Sequence, residues 1–239
     1  MAITLRSRRE IELMRKAGSV VADVLLKLKE IAEPGITTAK LDSVALQMAA
    51  DAKAKVLFKG VRTPLSRLPF PGAICISINE QVVHGIPSEN TKLRDGDIVS
   101  IDFGVRLDGY CADAAVTVAV GEIAADKRRL MNATKHVLDI AIEKSAPSVK
   151  WSQVAGEMQQ YAESAGFSVV KDFVGHGIGR EMHEEPKVPN FVGRELLEDD
   201  IVLAKGMVLA VEPMINAGTS DVKTLRNGWT VVTKDKKCS

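Results

Sequence analysis

Four side chains of this 239-residue chain stand where their types could work together: Asp102, Asp113, His176 and Glu212. Over 99–107, Val99, Ile101, Phe103, Val105 and Leu107 alternate with Ser100, Asp102, Gly104 and Arg106, the period of two that separates the faces of a strand. Asp108-Gly109 then favours a two-residue hairpin turn, which pairs Leu107 with Tyr110 and, counting outward, Gly104 with Asp113. Asp102 and Asp113 become diagonal neighbours on one face, about 7–8 Å apart at the backbone. Two carboxylates converging beside the small residues Gly104 and Ala115 repel each other unless something positive sits between them, and a divalent cation is the simplest candidate. Turn chemistry accounts for Asp108, which is left out of the site.

His176 stands in Val174-Gly175-His176-Gly177-Ile178-Gly179, where the glycines allow tight turns and close approach to a ligand. Met182-His183-Glu184-Glu185-Pro186 follows closely, and Glu212-Pro213-Met214 ends an apolar run. A donor set of Asp, Asp, His and Glu suits Mn, Fe, Co or Zn better than Mg or Ca, because imidazole is a borderline-soft donor. A carboxylate-rich set also suits two ions about 3.5–4 Å apart that share a hydroxide, an arrangement that serves hydrolysis.

The elements that must position these groups read as α+β. Ile11, Met14, Val21, Val24, Leu25, Leu28 and Ile31 mark one face of a helix that Pro34-Gly35 stops. Thr37 or Thr38 caps a second, with Leu41, Val44, Ala45 and Met48 on its buried stripe. The pattern predicts a strand over 73–78, the hairpin over 97–120, helices over 126–144 and 149–164, and strands over 168–174, 207–211 and 229–233. The order hints at an internal repeat. His84-Gly85 precedes Gly96, which is followed six residues later by Asp102; His176-Gly177 precedes Gly206, followed six residues later by Glu212. Each half thus offers a His-Gly loop and an acid at the end of an apolar strand.

Composition bounds the function. The chain is 46% hydrophobic and 26% charged, with 32 basic and 31 acidic side chains and a net charge of +1, which excludes disorder and gives no basic field for specific nucleic-acid binding. Cys75, Cys111 and Cys238 are an odd number without CxxC spacing, so neither a disulfide framework nor a zinc knuckle is suggested and a reducing cytoplasm is expected. No apolar run approaches the roughly 18 residues of a membrane span, and Glu10 and Glu12 interrupt any signal-peptide core. Arg6, Arg8, Arg9, Arg15 and Lys16 read as a solvated helix face, with ribosome contact the alternative.

The stretches CISINEQVVHGIP, GDIVSIDFGVRLDGYCADAAVTVAVG, VGHGIGREMHEEP, GMVLAVEPM and NGWTVVT occur in this order over nearly the whole chain. Together they resemble methionine aminopeptidase, type I, in its short bacterial form. The resemblance implies a pita-bread fold of two pseudo-symmetric halves, a single domain over 1–239, and removal of the N-terminal methionine from nascent polypeptides, with a small second residue preferred. It implies two divalent ions (Co, Mn, Fe or Zn) on Asp102, Asp113, His176 and Glu212, with Asp113 bridging them. His84 and His183 match histidines that contact substrate and help stabilise the tetrahedral intermediate without binding metal. Phe70, Cys75, Met182 and Trp229 match the lining of the methionine pocket, although relatives more often carry Tyr at position 70. The implied mechanism is attack of a metal-bridging hydroxide on the first peptide carbonyl, with Glu212 handling protons.

The family pattern carries a fifth ligand, a Glu on a final strand after the segment equivalent to Trp229–Thr233, and this sequence has only Asp221 and Asp235 after Glu212. The expectation is a chain incomplete at its C-terminus, with weakened metal binding, reduced activity and an exposed strand edge at 229–233. A proline-specific aminopeptidase and a non-catalytic pita-bread binding module are the competing readings. The histidine of the VVHGIP loop argues against the first, and retention of the four ligands argues against the second. A monomer is expected.

Overall fold

A repeated helix-helix-strand order organises the chain, and the computed structural model describes residues 3–64, 66 and 68–239. The first half opens with α1 (Arg8–Ile31) and α2 (Thr38–Asp51), followed by β1 (Lys55–Val56), β2 (Ile74–Ile78), β3 (Gln81–Val83), β4 (Ile98–Leu107) and β5 (Tyr110–Ala119). The second opens with α3 (Ala125–Lys144) and α4 (Trp151–Ser164), followed by β6 (Ser168–Val169), β7 (Gly175–Gly177), β8 (Glu184–Val188), α5 (Arg194–Glu198), β9 (Leu209–Ala210), β10 (Ile215–Asn216), β11 (Val222–Thr224) and β12 (Val231–Thr233).

Local chemistry sets the helix starts. Ser7 caps α1 and forms a reciprocal capping box with Glu10. Thr37 caps α2, accepting from the Lys40 amide. The apolar stripe of α1, including Val21, Val24 and Leu28, packs with Leu41 and Ala45 of α2 onto Ile74, Ile76, Ile101 and Phe103 of the central sheet, making one core. A second core joins Leu130 and Val137 of α3 to Trp151, Val154 and Met158 of α4 and to Val169, Val188 and Ile215. Each half therefore buries its own helix pair on its own strands, as the repeat predicts.

β4 is the spine of the first half, antiparallel to β1, β2 and β5. The second half is more fragmented than its sequence pattern suggests. Of the strand predicted over 168–174 only β6 forms, and of that over 207–211 only β9. Three further expectations are corrected. Asp102 is not at a strand end, since β4 continues to Leu107. The segment at 229–233 is not an exposed edge: β12 is the middle strand of a sheet ordered β11-β12-β3, paired on both sides. Arg6, grouped in the sequence with exposed basic residues, is buried. Among the described residues no helix is long and apolar enough to cross a membrane.

Candidate metal centre

The hairpin brings the first two acids together in the predicted register, with Leu107 opposite Tyr110 and Gly104 opposite Asp113, unbroken by a bulge. Asp108 and Gly109 take φ of 51° and 84°, the pair of positive values that a type I′ turn requires. Asp102 lies opposite Ala115, so the two acids are diagonal neighbours on one face. Gly104 keeps the space open, since a Cβ there would come within 3.3 Å of Asp113 Oδ1 and of Leu57 and Phe58.

The second half contributes His176 on β7, which runs between β8 and β9. The flanking glycines are a packing necessity. A Cβ on Gly175 would run into the Ala210 carbonyl, and one on Gly177 into the Glu185 carbonyl. His176 Nδ1 lies 2.9 Å from the Gly177 carbonyl oxygen, a contact that fixes the proton on Nδ1 and leaves Nε2 as the ligating atom. Nε2 is 3.0 Å from Glu212 Oε1 and 4.0 Å from Asp113 Oδ2. Asp113, His176 and Glu212 each offer a ligand atom within 4.8 Å of the others. Asp113 Oδ1 is buried with no hydrogen-bond partner, an orphan acceptor that a bound cation would satisfy. Asp113, His176 and Glu212 therefore fit a divalent metal, whereas Asp102, expected with them from the sequence, is not among the residues whose ligand atoms converge within 4.8 Å.

Electrostatics points the same way. Burial, reinforced by the charges of Asp113 and Glu212, pushes Asp102 well above the usual carboxylate range. Burial and the Glu212 charge raise Asp113 from 3.8 to about 6. Burial lowers His176, but the hydrogen bonds its ring donates to Glu212 and to the Gly177 carbonyl outweigh it and the imidazole ends above its ordinary value. A cluster that resists its own negative charge is one that a dication relieves.

An apolar cluster, the candidate side-chain slot, adjoins the centre. Phe70, Cys75 and Trp229 are buried together, with Met182 packed against them, so the four side chains singled out in the sequence are gathered in one place. Phe70 and Trp229 meet edge to face with centroids 5.2 Å apart, and Trp229 Nε1 donates to the Leu68 carbonyl at 3.0 Å. Cys75 lies directly opposite Asp102 across β2 and β4, which puts the slot one strand from the acids. Sequence reasoning missed Phe58, a buried member of this cluster, and Leu57, Val61 and Ile86 beside it. The only signal was a short apolar run around Leu57-Phe58 without periodicity.

Two of the other three histidines, His84 and His183, lie in the same region, while His136 packs against Tyr161 of α4. His84 has φ 58°, and its ring packs edge-on against Phe173 at 5.7 Å and Trp229 at 6.5 Å. Such backbone is tolerated where surroundings hold it in place, and here the next residue decides it: a side chain on Gly85 would overlap the Ile76 carbonyl. His183 is exposed, its ring 4.4 Å from that of His176. Burial lowers the pKa of both, with the neighbouring histidine adding to the effect.

The sequence profile of metallopeptidase family M24 matches residues 12–235. The chain belongs to that family. Within M24 it is similar to the methionine aminopeptidase of Clostridium perfringens, with 48% identity over 99% of this chain and 91% of that protein. It is also similar to methionine aminopeptidase 1 of Bacillus subtilis, at 42% over 99% of this chain and 92% of that one. The crystal structure of the Thermotoga maritima methionine aminopeptidase superimposes with a TM-score of 0.92 at 38% identity, covering 99% of this chain and 92% of that chain. The pita-bread architecture of M24 follows. The prolidase from Pyrococcus furiosus, at 18% identity and a TM-score of 0.73, shares the fold alone.

Proposed function

We propose that this M24 chain removes the N-terminal methionine from polypeptides by hydrolysing the first peptide bond, using divalent metal held by Asp102, Asp113, His176 and Glu212. The observation that carries the reading is the Asp113, His176 and Glu212 cluster set one strand from the aromatic slot of Phe58, Phe70, Cys75 and Trp229. When bound, divalent ions supply Lewis-acid polarisation and make hydroxide available at neutral pH. The finer reading is two ions drawn from Co, Mn, Fe or Zn.

The chain's own groups do the rest. The slot is apolar and walled by aromatic rings, so it selects an unbranched thioether side chain by shape and by sulfur–aromatic contact. His84 and His183, whose protonated forms are disfavoured by partial desolvation, offer imidazole N–H donors to the oxygen of the scissile carbonyl as it gains charge. Glu212, whose side chain is 40% exposed, is the ligand most open to water and is placed to carry a proton from the attacking water to the leaving amine. A small second residue is preferred.

The proposed partners are nascent N-termini in the cytoplasm, met by a monomer in which residues 1–239 act as one domain. The exposed Arg8, Arg9, Arg15 and Lys16 of α1 are the surface assigned to any ribosome contact. The test is methionine release from a Met-Ala peptide with Mn, Co, Fe or Zn titrated in. Release by the parent chain that is lost in Asp113→Asn supports the reading. No release with any of the four metals, or cleavage confined to peptides with proline in second place, overturns it.

A further inference from the structure

His183 and Met182 sit on a loop, 179–184, whose hold on the site comes from a residue at the other end of the chain. Glu184 grips the loop from inside: its Oε1 accepts from the backbone amides of Arg180 at 2.8 Å and Glu181 at 3.1 Å. Its Oε2 is paired with the guanidinium of Arg6. Arg6 precedes α1 and its side chain is only 5% exposed. It has one other ion-pair partner among the described residues, Glu10 at 3.8 Å. Its backbone amide donates to the Gly206 carbonyl at 2.7 Å, so the segment is pinned at both main chain and side chain.

Gly179 is explained by this pair, since a Cβ there would overlap the Arg6 guanidinium. The loop's outer side is tied to the hairpin that carries Asp102 and Asp113. Cys111 donates its amide to the Gly179 carbonyl at 2.7 Å, Arg180 donates to Tyr110 Oη at 2.9 Å, and Arg106 donates to Glu181 at 2.6 Å. A planar guanidinium is suited to a buried carboxylate partner in a way that a lysine is not.

We propose that Arg6 and Glu184 are positioning residues for the reaction: their buried ion pair clamps loop 179–184 so that His183 is presented to the substrate carbonyl and Met182 to the slot. The proposal rests on the function given above. Misplacing a reacting or polarising group by about 1 Å costs up to about 10²-fold in rate, so the clamp's loss is read in kcat.

The experiment compares Arg6→Met, Glu184→Gln and Arg6→Lys in the parent chain and in a His183→Ala background, with kcat and KM for Met-Ala release and amide hydrogen exchange at Arg180 and Glu181. In the parent background Arg6→Met and Glu184→Gln lower kcat roughly 10–100-fold, and Arg6→Lys recovers part of the loss. In the His183→Ala background the same substitutions change kcat less than about twofold, because the group they position is gone. Equal losses in both backgrounds overturn the proposal, as do unchanged exchange rates at the two amides. Should Arg6→Met fail to fold, the isosteric Glu184→Gln carries the same expectation. A parent chain that releases no methionine refutes the activity, while the exchange rates still decide whether the pair holds the loop.

Discussion

The carboxylates that make the centre attractive to metal make the metal-free protein unstable, and replacing one of them exposes the conflict. Asp113 titrates at about 6 rather than at its ordinary 3.8, because burial and Glu212 disfavour its charge. Between those two values the folded chain holds more protons than the unfolded one, so stability from this group is fully present below about 4 and is lost as pH rises through about 6. The difference of roughly two pH units corresponds to about 3 kcal/mol of destabilisation at pH 7.5, at about 1.4 kcal/mol per unit. Asp113→Asn removes that charge while keeping the shape. In a chain of this size about 1 kcal/mol moves Tm by roughly 2–4 °C, so the variant melts several degrees above the parent in EDTA at pH 7.5. The gap closes as the pH falls from 6 toward 4. Added Mn reverses the order, raising the parent's Tm and leaving the variant's nearly unmoved, since only the parent keeps the full ligand set. Differential scanning calorimetry at pH 4, 6 and 7.5, with EDTA and with Mn, reads all three effects. A variant that melts at or below the parent in EDTA at pH 7.5, or a gap independent of pH, refutes the reasoning.

Metal affinity itself should climb about tenfold per pH unit below 6 for each proton displaced, which isothermal titration in buffers of different ionisation enthalpy measures directly. His84→Ala should reduce the rate of methionine release by roughly 10²–10³-fold, the loss typical of one donor to a developing oxyanion, with the metal content of the purified protein unchanged. Phe58→Ala, which opens one wall of the slot, should raise KM for Met-Ala and cost about 3–5 kcal/mol in denaturant unfolding, as deletion of a buried aromatic does. Gly177→Ala, whose new methyl meets the Glu185 carbonyl, should destabilise the fold by about 1–3 kcal/mol and weaken Mn binding, because β7 must shift and His176 shifts with it.

The hairpin and the acids on it were legible because their signals are local: alternation along β4 and an Asp-Gly turn set the register, and the register sets which side chains share a face. The helices were legible for the same reason, through stripes and threonine caps. What escaped depends on partners far along the chain. β7, β9 and β10 are two or three residues long, so their pattern is too short to bound a strand, and their course is set by pairing with distant partners, β7 with β8 and β9, and β10 with β6. Phe58 joins the slot through tertiary contact with Trp229 and Phe70, and nothing beside it in sequence announces this. Arg6 reads as one of several exposed cations at a helix start, yet its carboxylate partner is 178 positions away. Strand 229–233 looked like an edge because the family's final strand does not follow it, whereas β11 and β3 pair with it on its two sides.

The repeat also explains why the centre needs both halves. Each copy places a His-Gly pair ahead of a glycine-led strand ending its motif in an acid, but the two copies diverge after that acid. In the first, β4 continues past Asp102 to Leu107 and the turn returns Asp113 beside it, giving two carboxylates that repel. In the second, Pro213 follows Glu212 at once, and the histidine of that copy lies 3.0 Å from its acid, setting a nitrogen donor beside a carboxylate. The histidine of the first copy, His84, is turned by its positive φ toward Trp229 and Phe173 instead. One copy therefore contributes excess negative charge and the other an imidazole. A cation bound between them is held by ligands from two separate cores, so parting the halves requires releasing it, and metal affinity is converted into resistance to that opening.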